Sequence, residues 1–585
     1  RGIELADEGD SEEVHVLIGS DFLWKVLKDT NVRLSRRLVA TDSIFGFVIQ
    51  GSERESNCGE VLVNLLRVTN EELNCDRIKD LWELEAIGIT PKREISHSDL
   101  EILEAFEQNT TYENNRYETK LLWKDNHEGL NDNYEIARRR LFNLNKRFKR
   151  DDNFYSRYKE IINTQLKDNI IEEINCELDN DVSKGYFMPH HGVVKDLKET
   201  TKLRICYSAS SKANNELSLN DCLECGPNLN PDLLKIILKF RFYPIAFCAD
   251  IQRAFLEVGI VEEDRKFLQF LWGEEGGTNL SLDDRTVRIL RMRRVPFGVK
   301  CSPFLLHATI KLHLKKYEHL YKRTCAVLNE LYVDNLITGA YCIEEAALIS
   351  KEATGILSEA NMNLRQWTTN SPPLLEMWNE TDLECRQSDS DIPLKVLGLI
   401  WDNKNDTLKI ALNQMQQLSD KIATKRVVLS ACGMLFDPLG LLTPFTVRIK
   451  LLMQQLWEGG FTCDEPLPSC FDTSFREWLQ ELTFVQDVVV PRLYFSEMKT
   501  EMLEVHIFSD ASPKAYGSVA YFRMKHPSGV RTSFILSKSR LAPLKTVSLP
   551  RLELLGALVS ARLCLYLRKT FPLIKESNIF LWSDS

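Results

Sequence analysis

Residues 244–250, Pro244-Ile245-Ala246-Phe247-Cys248-Ala249-Asp250, form a short apolar run ending in an acid. Residues 329–335, Asn329-Glu330-Leu331-Tyr332-Val333-Asp334-Asn335, form a second. Both read as β-strands. A carboxylate at a strand end beside a core is costly unless it is paired, capped or bound to metal. Taken singly, each acid is as readily a helix or turn cap. The residues after Asp250, Ile251-Gln252-Arg253-Ala254-Phe255, place an aromatic five positions beyond the acid at the start of a helix. If the two strands pair, Asp250 and Asp334, 84 positions apart, meet at one sheet edge and share two divalent cations. Such a clamp activates a hydroxyl nucleophile, orients an α-phosphate and neutralises departing pyrophosphate. Phe255 then lies beneath the sugar of an incoming nucleotide and excludes a 2′-hydroxyl.

Outward from this pair, residues 203–400 alternate short strands with helical stretches, an α/β pattern. Strands are expected at 14–19 and 44–49, and residues 60–180 read as mostly helical and charged, with one amphipathic run from Tyr134 to Tyr158. Residues 421–460 are helical, interrupted at Asp437, Pro438 and Gly440. Strands at 505–509 and 517–523, a helix at 550–567 and a strand at 579–583 complete the chain. At 585 residues, three to five units are expected. No stretch reaches eighteen uninterrupted apolar residues and no signal-peptide pattern opens the sequence, so no membrane partner is expected. The 15 cysteines are irregularly placed and read as free thiols, the Cys222–Cys225 pair lacking a second pair at zinc-finger spacing. A net charge of −10 weighs mildly against a nucleic-acid role, but a groove needs only a local positive field. Two basic clusters can supply one: Arg138, Arg139, Arg140, Lys146, Arg147, Lys149 and Arg150, and Arg288, Arg291, Arg293, Arg294 and Lys300. Either is equally a solvated face.

The ordered motifs resemble the reverse transcriptase of an LTR-retrotransposon Pol polyprotein, closest to the Pao/BEL class. The resembling core runs from Tyr186-Phe187-Met188-Pro189-His190-His191-Gly192-Val193-Val194-Lys195 to Leu397-Gly398-Leu399. Thr201-Lys202-Leu203-Arg204 matches the fingers motif, which implies that Arg204 contacts the nucleotide triphosphate. Ser208 stands where the family usually has Asp. Ser218-Leu219-Asn220-Asp221 and Gly226-Pro227 follow. Asp250 corresponds to the first palm acid, Phe255 to the sugar gate, and Val295-Pro296-Phe297-Gly298-Val299-Lys300-Cys301-Ser302-Pro303-Phe304 to the segment against nucleotide and template, where Gly298 permits close approach. The second palm motif, usually Tyr-Val-Asp-Asp, is Tyr332-Val333-Asp334-Asn335, so Asn335 removes one negative charge. Leu364-Arg365-Gln366-Trp367 carries Gln366 where the family has Lys beside the departing pyrophosphate, and glutamine delivers no ammonium proton.

Near the C-terminal end, His506-Ile507-Phe508-Ser509-Asp510-Ala511-Ser512, Glu553 and Leu581-Trp582-Ser583-Asp584 place three acids on strand, helix and strand. They resemble the first three acids of the family's ribonuclease H module. The resemblance implies that Asp510, Glu553 and Asp584 bind metal. The sequence stops one residue after Asp584, so an incomplete site with poor RNase H activity is expected. Leu17-Ile18-Gly19-Ser20-Asp21 and Ala40-Thr41-Asp42-Ser43-Ile44-Phe45-Gly46 resemble the later half of the class's aspartic peptidase. No Asp-Thr/Ser-Gly precedes them, so no peptidase activity is expected. Leu81-Trp82-Glu83-Leu84-Glu85 and Arg116-Tyr117-Glu118 resemble linker and early polymerase segments, and Phe436-Asp437-Pro438-Leu439-Gly440-Leu441-Leu442 resembles the connection region.

The expected fold is therefore multidomain α/β and α+β: a right-hand polymerase palm and fingers core, a partial β-rich peptidase remnant and an incomplete RNase H-like α/β domain. The expected divisions are 1–58 peptidase remnant, 59–180 helical linker and early polymerase segment, 181–400 fingers and palm, 401–500 thumb or connection, and 501–585 RNase H-like. The resemblance implies an RNA-directed DNA polymerase that extends a DNA or RNA primer by two-metal nucleotidyl transfer, impaired by Asn335 and Gln366. It implies Mg2+ (or Mn2+) as cofactor, and primer-template RNA/DNA hybrid, deoxynucleoside triphosphates and other Pol and Gag segments as partners. Its place would be a cytoplasmic retroelement particle on a DNA-integration pathway. The alternative is a catalytically inactive, retroelement-derived nucleic-acid-binding fragment.

Overall fold

The computed structural model describes residues 27–33, 38–43, 46–51, 96–174, 185–194, 203–273, 287–381, 383–386, 394–412, 415–497, 502–527, 529–544 and 547–584. The chain divides into two compact units, residues 1–74 and 75–585, and is a mixed α/β multidomain protein. In the first unit β1 (Leu27–Arg33), β2 (Leu38–Ser43) and β3 (Gly46–Gly51) form an antiparallel meander. The strand expected at 44–49 thus begins two residues later. The strand expected at 14–19, the Leu17–Asp21 and Leu81–Glu85 elements, Lys195, Thr201 and Lys202 lie outside the described residues.

In the second unit β4 (Thr111–Glu113) and β5 (Arg116–Thr119) form a small sheet with β10 (Gly259–Ile260). β6 (Ile171–Glu173) joins β12 (Val287–Met292) and β11 (Gln269–Gly273), and β7 (His190–Val194) pairs with β8 (Leu203–Tyr207). The central sheet has β9 (Ile245–Ile251) between β13 (Asn335–Ala340) and β14 (Leu364–Thr369), all antiparallel. β15 (Lys395–Val396), β16 (Leu399–Asp402), β17 (Thr407–Ile410) and β18 (Val489–Pro491) make a fourth sheet. The last is ordered β21-β20-β19-β22, from β19 (Leu503–Ala511), β20 (Ala515–His526), β21 (Gly529–Leu541) and β22 (Ile579–Trp582).

β9 explains why its sequence shows no polar alternation. Phe247, Ala249 and Ile251 enter one core with Leu203, Phe270, Trp367 and Trp378. Ala246 and Cys248 enter a second core with Trp401, Trp478, Val505 and Phe522. A strand buried on both faces reads as a continuous apolar run. Each large side chain fully buried in these cores contributes about 1.5–3 kcal/mol, so this shared strand is a main joint of the unit.

Two sequence expectations need correction. Residues 329–335 are not a strand. The Lys322–Leu328 helix buries Thr324, Cys325, Val327 and Leu328, and the chain then turns at Tyr332–Asn335 before β13 starts. Tyr332 and Asn335 exchange both backbone hydrogen bonds at 3.0 Å, and Val333 takes a left-handed φ of 58°. Tyr and Val favour strands in general, but here tertiary packing decides. Asp334 accordingly sits in the turn that enters β13. The run from Tyr134 to Tyr158 is two helices, Tyr134–Phe148 and Asp152–Lys167. Asp151 accepts a hydrogen bond from the Phe154 N–H at 2.9 Å and caps the second.

Helices Lys425–Met434 and Thr443–Glu458 flank the Asp437–Gly440 break. The buried Asp437 accepts from the backbone N–H groups of Leu441 and Leu442 at 2.9 and 2.6 Å. Helix Ser469–Val485 and strand β21 are elements that the sequence reading did not anticipate. Two buried arginines tie the sheets together. Arg492 donates to both oxygens of Asp406 at 2.6 and 2.7 Å and to the carbonyls of Phe240, Tyr243 and Pro244. Arg241 lies 4.2 Å over the Tyr494 ring and donates to the carbonyl of Arg492 and, across the last sheet, to those of Phe534 and Ile535.

Candidate functional site

β9 and β13 bring the palm candidates together. Asn335 lies directly across from Asp250, and the Ile251 N–H donates to the Asp334 carbonyl at 2.8 Å. Burial pushes the Asp250 carboxyl above the usual carboxylate range. Arg365 opposes that rise, while the charges of Asp334 and Glu384 add to it. Arg365 stands opposite Asp250 on β14 and reaches its Oδ2 at 3.3 Å. The Asn335 amide donates to Asp334 Oδ1 at 2.7 Å. The four side chains Asp250, Asp334, Arg365 and Asn335 therefore carry a formal net charge of only −1 at neutral pH. Arg365 and Glu384 were not singled out as site residues from the sequence. Arg365 immediately precedes Gln366, but no residue-level signal announced that it would face Asp250.

Gln366 occupies a left-handed φ of 54° where β14 slips register between Arg365 and Thr368. The slip turns Trp367 into the core against Phe247 and Trp378. Phe255, in a 3-10 turn at Ala254–Glu257, is buried and packs on Phe297 at 4.7 Å between ring centres. Gly298 has φ +103°, and a Cβ there would lie 2.1 Å from the Tyr207 carbonyl oxygen. Asn220 fixes the same turn. Its amide donates to the Gly298 carbonyl at 3.0 Å, and its Oδ1 accepts from the Lys300 N–H at 2.8 Å. The Ser218-Leu219-Asn220-Asp221 element thus clamps the Pro296–Lys300 turn, a role the residue types alone did not announce. Arg204 sits half-buried on β8 opposite Val193 and makes no ion pair among the described residues.

The second acidic set converges as expected. β19 and β22 run parallel with Phe508 beside Trp582, which carries Asp510 and Asp584 to the same end of the sheet. The Leu549–Thr570 helix brings Glu553 there. One carboxylate oxygen from each of Asp510, Glu553 and Asp584 lies within 4.8 Å of the other two. Desolvation and the charges of Asp584 and Asp510 push the Glu553 carboxyl upward. These three groups carry a formal charge of −3. The chemistry of this donor set fits a hard divalent cation, whereas the Asp250 edge, with a guanidinium already on one acid, fits it poorly.

A pH dependence follows with a definite sign. A carboxyl whose folded pKa is raised contributes stability that is present below its unfolded value and lost as pH rises through the folded one. Without divalent cation, Glu553 is expected to contribute a fall in the unfolding midpoint as pH rises above the ordinary glutamate range, read as the difference between the wild-type chain and Glu553→Gln. Mg2+ should remove most of that fall in the wild-type chain and much less in Asp584→Asn. A fall unaffected by either change would show that the three acids do not interact as described.

Residues 424–585 match the family model described as the Pao retrotransposon-like RNaseH-like domain. The match takes in the helices from Lys425 onward as well as the last sheet. No curated protein matches the sequence. Among solved structures, the chain is similar to a foamy viral protease-reverse transcriptase (dRH form) in complex with double-stranded DNA. Identity is 14% and the TM-score 0.44, over 73% of this chain and 62% of that one. A foamy viral protease-reverse transcriptase in complex with RNA/DNA hybrid gives 12% and 0.40, over 87% of this chain and 63% of that one. A double-stranded DNA complex gives 13% and 0.43, over 88% and 95%. The chain thus spans 62% and 63% of the length of the first two. Among the described residues no helix is long and apolar enough to cross a membrane.

Proposed function

We propose that this chain is a retroelement-type nucleic-acid-binding protein. It holds a primer-template hybrid on a polymerase palm and retains divalent cations chiefly at Asp510, Glu553 and Asp584. The observation that carries this reading is that Arg365 and Asn335 already occupy the Asp250 and Asp334 carboxylates, whereas Asp510, Glu553 and Asp584 face one another with a formal charge of −3. At the palm, the buried Phe255 and the exposed Phe297 packed on it offer an apolar floor for a sugar, Gly298 leaves room for close backbone approach, and Arg204 is available to a triphosphate. Asp334, held by Asn335, and Asp250, held by Arg365, position the turn and strand but resist gathering further positive charge. When bound at the second cluster, Mg2+ supplies charge neutralisation and activation of a water against a phosphodiester. There Glu553, raised by its neighbours, holds a proton more readily than an ordinary glutamate. On this reading the units are a peptidase-like segment, a linker, fingers and palm, a connection and an RNase H-like domain. Deoxynucleoside triphosphates and other Pol and Gag segments are its further partners, in a cytoplasmic particle.

The test is primer extension beside hybrid binding. The wild-type chain is expected to bind hybrid in a salt-sensitive manner with little Mg2+-dependent extension. Asn335→Asp with Gln366→Lys should restore a second acid and a proton donor and raise extension by about 100-fold, in line with general acid catalysis. No extension by the double variant, despite hybrid binding, would refute the charge-deficit account. The second reading is a competent RNA-directed DNA polymerase. It is favoured by the charge of Asp334 acting on Asp250 where β9 and β13 pair. Efficient extension by the wild type would establish it.

A further inference from the structure

The two basic clusters have opposite fates. In the second, Arg288 holds Glu173 and Arg291 holds Glu172, each at 2.5 Å, and Arg293 stands 3.6 Å from Glu172. Arg294 is buried, and burial beside Arg116 and Arg293 lowers its guanidinium to about 10. The four arginines of that cluster are absorbed by the fold, and only Lys300 of it stands exposed. The first cluster is not. The Tyr134–Phe148 helix buries Ala137, Leu141, Leu144 and Phe148 and turns Arg139, Arg140, Lys146 and Arg147 to solvent, and Lys149 and Arg150 follow it, also exposed. No acid occurs from Ile136 to Arg150. Arg139, Arg140, Lys149 and Arg150 make no ion pair among the described residues. Lys146 rests 4.4 Å above the Phe142 ring and Arg147 3.9 Å above Phe154, so their stems are held.

Arg139, Asn143, Lys146 and Arg150 recur at helical steps and form one polar stripe. Its helical part, Arg139 to Lys146, rises roughly 10 Å at about 1.5 Å per residue, close to three phosphates of one duplex strand at about 3.4 Å each, and Arg150 extends it from the turn after the helix. The helix packs on β7 and β11, and β7 pairs with β8, which carries Arg204. We propose that the Arg139–Lys146–Arg150 stripe is a docking track for the phosphate backbone of the bound nucleic acid, beside the hairpin that carries Arg204. This inference rests on the hybrid-binding reading above. A lipid surface fits less well, because the bulky apolar residues of the helix are turned into the fold and none is left to enter a bilayer.

The test uses the full chain and the triple variant Arg139→Glu/Lys146→Glu/Arg150→Glu, with a milder Gln series in case charge reversal perturbs folding. Binding to labelled RNA/DNA hybrid is titrated against salt. One hybrid is blunt and the other has a single-stranded template extension, which separates a duplex track from a template track. Loss of about three phosphate contacts should reduce the log–log salt slope by roughly three and weaken binding at low salt at least about tenfold. Mg2+-dependent stabilisation through Asp510, Glu553 and Asp584 should be unchanged. An unaltered slope on both hybrids, while the wild type binds, overturns the track and leaves the hybrid-binding reading intact. A loss confined to anionic lipid vesicles also overturns it. Failure of the wild type to bind either hybrid overturns both.

Discussion

Arg492→Met is expected to lower the stability of the chain by about 3–5 kcal/mol, the usual cost of stranding one partner of a buried ion pair. Arg492 is fully buried and is the only cation on the half-buried Asp406 among the described residues, where the Trp401 indole and the Asn370 amide also donate, each at 3.1 Å. Methionine fills much of the volume but leaves Asp406 charged and under-paired, and strips a donor from the carbonyls of Phe240, Tyr243 and Pro244. The damage reaches β9. Asn370, released from Asp406, also accepts from the Ala246 N–H at 2.9 Å, at the start of β9. Denaturant unfolding measures the effect, and Asp406→Asn added to Arg492→Met should recover part of the loss, because it removes the unpaired charge and suits the left-handed φ of 51° at that position. Breaking the exposed Arg448–Glu481 pair should cost less than about 1 kcal/mol. A loss of that small size at Arg492 would refute the buried-pair account.

Gly298→Ala should rank next, at roughly 3 kcal/mol or more, from an unfavourable backbone conformation combined with a collision. The obstacle at 2.1 Å is the main-chain oxygen of Tyr207, not a mobile side-chain tip. Tyr207 is paired to His190 across the β7–β8 hairpin, so relief means moving the hairpin or breaking the Asn220 clamp. Hybrid affinity should fall with stability. Gly355→Ala is the natural comparison, since that glycine lies within the Ile343–Ser358 helix with nothing within 4 Å of a new Cβ. It should stabilise by about 0.5–1 kcal/mol. Equal thermal shifts for the two variants would contradict the assignment of Gly298.

How far the sequence revealed this molecule can be judged from its acids. Asp250 was legible because β9 is buried on both faces and ends at the acid, an unbroken apolar run with one charged terminus. Asp510, Glu553 and Asp584 were legible because their order on strand, helix and strand resembles the acids of an RNase H module, although β20 and β21 lie between the first strand and the helix. Asp334 was placed on the right edge but in the wrong element. The β-favouring Tyr332-Val333 pair masked a turn that only the two reciprocal Tyr332–Asn335 hydrogen bonds reveal. Arg365 was hidden for a different reason. Alternation along β14 fails at the Gln366 slip, so counting residues does not say which side chain faces Asp250. The two basic clusters looked alike as composition. The partners that neutralise one of them, Glu172 and Glu173, lie more than a hundred positions away from it.

The joint made by Arg241 has one more consequence. Its acceptors on the last sheet are the main-chain oxygens of Phe534 and Ile535, which every residue type presents alike. Drift in the side chains at those two positions should therefore leave the contact untouched. Inserting or deleting a single residue earlier in β21 would instead displace the carbonyls by about 3.3 Å and reverse their facing. The seam that Arg241 makes with the last sheet is thus tolerant of substitution and intolerant of length change.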